Sequence, residues 1–81
     1  MNQAIQILDG AVYVEHNQSL KLEALCHGQL ITCYINGADK KTLLNLYTSH
    51  QFDIEELLES LIEDDEMDNE GKIYLHIDKF L

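Results

Sequence analysis

The stretch that decides the fold is SLKLEALCHGQLITCYI, residues 19–35. His27-Gly28 at its centre has the chemistry of a two-residue hairpin turn. Glycine takes positive φ freely, and histidine tolerates it better than most side chains. Placing the turn there sets the register on both sides. Cys26 faces Gln29, Ala24 faces Ile31, Leu22 faces Cys33 and Leu20 faces Ile35. All but the first of these pairs are apolar on both sides, and they share one face because side chains alternate along a strand. The opposite face receives Lys21, Glu23, Thr32 and Tyr34, with Leu25 and Leu30 near the turn.

Towards the N-terminus, QAIQILD and AVYVEH read as shorter strands separated by Asp9-Gly10, with His16-Asn17 as the next turn. Towards the C-terminus, KIYLHI alternates Ile73, Leu75 and Ile77 against Tyr74 and His76, a strand that returns to pair with the early sheet. Two helices are predicted in between. DKKTLLNLYTSH carries Leu43, Leu44 and Tyr47 at helical spacing, with Asp39 placed to cap its start. A second helix is read from Asp53. Glu56 three residues later completes a capping box, and Phe52 and Leu57 would form a hydrophobic staple around it.

In that second segment Ile54, Leu57, Leu58, Leu61 and Ile62 follow the i, i+3, i+4, i+7, i+8 spacing of one buried stripe, while Glu55, Glu56, Glu59 and Glu63 take the other side. The pairs Glu55–Glu59 and Glu59–Glu63 repel, at roughly 0.2–0.5 kcal/mol each. Burying five large apolar side chains is worth roughly 1.5–3 kcal/mol apiece, an upper bound. Burial wins by about tenfold, so a helix is expected despite the charge, and modest added salt should raise its stability slightly.

Eighty-one residues make room for one domain, residues 1–81, with a core near the lower size limit for independent folding. The expected fold is α+β: a small antiparallel sheet of four to five strands in the order β-β-β-β-α-α-β, with two helices packed on it. The formal charge of −10 comes from fifteen Asp and Glu against five Lys and no Arg, and ten of the acids fall within residues 52–71. Such a balance argues against neutralising the phosphates of a nucleic acid and against an anionic membrane surface. A charged partner is expected to be basic. No basic, apolar leader precedes the first strand, no stretch has eighteen consecutive apolar residues, and the two cysteines lack a secretory context, so the cytoplasm is the expected compartment.

The residues that bear chemistry fall short of a recognisable site. Aligning Gly71 with the obligatory glycine of a calcium loop puts Glu66, Asp68 and Glu70 at its first three ligand positions, but the final bidentate position would be Ile77, and a strand follows where a helix is needed. No C-x-x-C or H-x-x-x-H spacing accompanies Cys26, Cys33 and the four histidines. The hairpin register separates Cys26 from the Cys33 level by about 13 Å along the strand, beyond the roughly 7 Å that a disulfide spans between α-carbons. No glycine-rich phosphate loop or nucleophile elbow is present, so no catalytic, metal or cofactor-binding residue is expected.

In order and spacing, several segments resemble a known family. These are MNQAIQ, the aromatic Tyr13, the A-L-x-x-G of Ala24, Leu25 and Gly28, TCYI at residues 32–35, FDIEELLESLIEDD at residues 52–65, and the closing G-K-I-Y-L at residues 71–75. Together they are similar to the small proteobacterial proteins catalogued as domain of unknown function 1488. The resemblance covers nearly the whole chain. It departs from the family pattern in the middle, where only NGADKK links the hairpin to the helices, and at Gln51 and Phe52, where relatives often carry Arg and Trp. It implies a compact α+β fold in a bacterial cytoplasm and supplies no activity.

Two functional expectations follow. The first is a protein-interaction or accessory, regulatory module whose acidic helix face engages a basic partner through Glu55, Glu59, Glu63, Asp64, Asp65 and Glu66. The alternative is a homo-oligomeric structural domain, a homodimer, associating through the second sheet face with Leu25, Leu30, Tyr34 and Tyr74. A metal-dependent protein or enzyme is the weakest expectation.

Overall fold

The computed structural model describes residues 4–81. Its elements run β1 (Ile5–Ile7), β2 (Val12–Val14), β3 (Ser19–Cys26), β4 (Gln29–Asn36), α1 (Lys40–Glu63), β5 (Lys72–His76) and a closing 3-10 helix (Ile77–Phe80). The strands form one sheet in the order β1-β3-β4-β5, with β2 also paired to β3. The first strand was expected to begin at Gln3, which lies outside the described residues.

The hairpin has the expected register throughout, from Cys26 opposite Gln29 to Leu20 opposite Ile35. Both turn residues take positive φ, 53° at His27 and 80° at Gly28. This is the requirement of a type I′ turn, whose twist matches that of the flanking strands. One side of the hairpin is sealed: Leu20, Leu22, Ala24, Ile31, Cys33 and Ile35 are all buried.

β1 and β2 are two pieces of one edge. Ile7 pairs with Ala24 and Val12 with Lys21, so residues 8–11 are accommodated opposite Leu22 and Glu23 alone. This bulge, with Gly10 at φ 94°, interrupts the exposed ladder. The Tyr47 hydroxyl accepts from the Gly10 N–H at 3.2 Å and ties the bulge to the helix behind it. His16-Asn17 form the centre of the next turn, closed by Gln18 N donating to Glu15 O at 3.3 Å.

Between β4 and β5 the structure corrects the sequence reading. The two expected helices are one, Lys40–Glu63, with a kink at His50 (φ −129°, ψ 32°). Asp39 caps its start as expected, accepting from the Thr42 N–H at 2.9 Å. The Thr48 hydroxyl donates to the Leu44 carbonyl at 3.0 Å, a back-bond that bends helices. Asp53, expected to cap a new helix, instead has its carboxylate 3.5 Å from His50 Nδ1. Phe52 is no staple: it is 83% exposed. The signals read as a helix start mark a kink.

The helix count then determines strand direction. Two antiparallel helices would return the chain to β4 running the opposite way; one helix returns it running the same way. β5 accordingly pairs parallel to β4, Thr32 with Lys72 through Asn36 with His76, and the sheet is mixed rather than antiparallel. The observed order is β-β-β-β-α-β.

α1 lies across one face only. Leu43 and Leu46 before the kink, and Ile54, Leu58 and Ile62 after it, meet the sealed side of the hairpin together with Ile73, Leu75 and Ile77. Leu57 and Leu61 border this core half-buried.

Candidate functional site

Burial of Ile54, Leu58 and Ile62 forces the opposite side of α1 into solvent, because residues four apart share a helix face. Glu56, Glu59 and Glu63 are exposed there, and Glu55 is half-buried at the margin, accepting from Gln51 Nε2 at 3.0 Å. Phe52 stands three, four and seven residues before Glu55, Glu56 and Glu59, at the head of the same side of the helix. Ile7 from β1, Phe52, Glu55, Glu56 and Glu59 line a shallow open groove of about 230 Å³. A large aromatic left in water beside three carboxylates is the least expected surface feature of the helix.

The acidic exit continues this surface. The Asp64 N–H donates to Ser60 O, that of Asp65 to Ile62 O and that of Glu66 to Leu61 O, each at 3.0 Å. Asp65 takes the left-handed conformation (φ 59°) that ends helices. The backbone of residues 64–66 thus closes α1, and the three side chains are exposed. All six residues expected from sequence to face a partner therefore lie along the outer side of the helix and its exit. Sequence reasoning missed Phe52 and Ile7. The helical spacing of Phe52 to Glu56 and Glu59 was the available signal, overlooked because the staple assignment had turned the ring inward.

The turn beyond is built by Asp68. Its Oδ1 accepts from the Glu70 and Lys72 N–H groups, both at 2.9 Å. The hydrogen bond from Lys72 Nζ to Glu70 Oε1, across 3.4 Å, raises the lysine pKa. Among the described residues no three His, Cys, Asp or Glu side chains converge as metal ligands. Burial pushes the Cys33 thiol up to about 12, whereas Cys26 is half-buried at the hairpin end. A second shallow cavity, about 360 Å³, opens at the helix kink between His50, Asp53, Leu57, Lys79 and Phe80. No helix among the described residues is long and apolar enough to cross a membrane.

Comparison with known proteins places this arrangement among relatives. The family profile described as "Protein of unknown function (DUF1488)" matches residues 5–75. The chain is 31% identical to the Uncharacterized protein YrdB of Escherichia coli K12 over 84 aligned positions, covering 93% of this chain and 99% of that one. It is 30% identical to the Shigella flexneri protein of the same name, with the same coverage. A solved crystal structure of a family protein of unknown function from Shewanella loihica PV-4 superposes with a TM-score of 0.75 at 28% identity, covering 93% of this chain and 94% of that one.

Proposed function

The chain belongs to the DUF1488 family of proteins of unknown function, and from its own surface we propose that it is a protein-interaction module of accessory or regulatory type. Its acidic helix face binds a basic segment of a partner protein. The observation that carries this reading is Phe52, 83% exposed among Glu55, Glu56 and Glu59. An exposed aromatic within an acidic surround suits Lys- or Arg-bearing chains: the carboxylates draw the cation, and the ring offers both apolar contact and a cation–π surface. Glu63 and residues 64–66 extend the same field towards the helix exit and steer the approach. On this reading the protein works without catalysis, metal or cofactor, in the cytoplasm.

The test is affinity capture from a bacterial lysate at low and high salt, followed by binding measurements on whatever is retained. Capture at low salt should weaken steeply with salt. It should be lost on Phe52→Ala and on the triple change Glu55→Gln, Glu59→Gln, Glu63→Gln. Retention indifferent to both variants would end the proposal.

A further inference from the structure

The side of the sheet facing away from α1 carries a different chemistry from the rest of the molecule. Its strand side chains include Val12, Lys21, Glu23, Leu30, Tyr34, Lys72 and Tyr74, fixed on that side by the register. Tyr34 and Tyr74 stack, ring centroids 5.4 Å apart and planes 16° from parallel. Val12, Leu30 and Tyr74 are 61%, 49% and 57% exposed. We propose that this face is the interface of a homodimer, two copies packed sheet to sheet about a two-fold axis. The inference is independent of the acidic-face reading, which concerns the opposite side of the molecule.

Charge selects the occupant. The strands set Lys21 and Lys72 against Glu23 here, and Glu70, 3.4 Å from the Lys72 ammonium, brings the sum to zero, so the −10 of the chain is carried elsewhere. Two copies of so acidic a protein repel through the outer side of α1 and its exit. Sheet-to-sheet packing puts this face at the centre and both acidic helices outside. With layers about 10 Å apart, the helices stand roughly 30 Å from each other, several times the ~8 Å screening length at physiological salt. Mixed charges on the face give each copy both a donor and an acceptor of ion pairs, as a self-complementary interface requires.

Area is sufficient, with little to spare. Four strand positions about 4.8 Å apart and eight residues at about 3.3 Å give roughly 500 Å² per copy. Two copies bury roughly 1,000 Å², where specific association begins. The dimer is therefore expected to be concentration-dependent rather than obligate. The stacked tyrosines of β4 and the edge strand β5 are the residue type enriched in such interfaces.

Light scattering and sedimentation of the full chain, across dilutions from micromolar to near-millimolar, test this. The mass should rise from 9.3 kDa towards twice that value, and added salt should leave the dimer unchanged or tighten it by screening the residual repulsion. Tyr74→Glu should raise the dimer Kd by roughly tenfold or more, without changing the circular-dichroism spectrum. Leu30→Glu, at the other end of the face, is the second variant should the first misfold. Glu59→Gln should leave the dimer intact. A monomer at every concentration would overturn the proposal. So would a dimer indifferent to both face variants, or an open-ended assembly dissolved by salt, which would mean the acidic helix of one copy docking on the lysines of the next.

Discussion

The two faces of the β3–β4 hairpin are built from the same two strands, yet they impose different rules on the residues they display. On the covered face, Leu20, Leu22, Ala24, Ile31, Cys33 and Ile35 are in contact with α1 or with one another and see essentially no water. One residue along, Lys21, Glu23, Thr32 and Tyr34 are half-buried only by their neighbours in the sheet. Covered positions are selected for volume, since a buried methylene has no alternative contact. Open positions are constrained only by strand preference and by whatever approaches from outside. Stability should therefore be concentrated on one side of a sheet only one residue thick, leaving the other side free for recognition.

Leu22→Ala should separate the faces most sharply, with a loss of roughly 2–5 kcal/mol in urea unfolding, because α1 cannot collapse into the space left behind. A loss under about 1 kcal/mol would mean that the core is loosely packed. Gly28→Ala acts on both faces through the register. An added Cβ meets nothing within 4 Å at this position, so only the φ of 80° is at stake. The expected cost is about 1–2 kcal/mol. Cys33 offers a pH-dependent contrast. Burial pushes its thiol up to about 12, from an ordinary value of 9.0 in the unfolded chain. Above that value the unfolded chain loses a proton that the folded chain keeps, so stability must fall as pH rises. Between about pH 9 and 10 the protein should lose about 1 kcal/mol more than Cys33→Ala does. Thr32→Ala, on the open face of the same strand, should stay within about 0.5 kcal/mol of wild type. Smallest of all, screening the glutamates of α1 with moderate salt at neutral pH should raise the melting temperature slightly, each like-charge pair being worth only about 0.2–0.5 kcal/mol. A fall would show that the carboxylates are engaged in favourable pairs.

What could be read from the sequence was local, and what could not was a question of direction. The hairpin was legible because turn chemistry and strand alternation agree residue by residue around His27-Gly28. The buried stripe Ile54, Leu58, Ile62 was legible from its period. The division of the helix was misread because the Asp53–Glu56 spacing and the preceding Phe52 look the same in sequence at a helix start and after a kink. Only the pairing of Asp53 with His50 and the 83% exposure of Phe52 distinguish the two. That one misreading carried into the sheet, since the number of helices crossing behind it sets the direction of β5. It also hid the central residue of the candidate site. An inward staple and an outward anchor share the same letter.

The parallel pairing of β5 with β4 also divides the molecule in time. The hairpin closes a two-residue loop and can form within microseconds, whereas Thr32 meets Lys72 only after the whole of α1 has been laid across the sheet. That order makes the hairpin with the helix the natural nucleus and the last strand a late addition. Substitutions at Leu22 or Gly28 should slow folding, while those at Ile73 or Leu75 should chiefly hasten unfolding. The edge completed last is then the edge released first, and β5 should be the strand whose amides exchange with solvent ahead of the rest of the sheet.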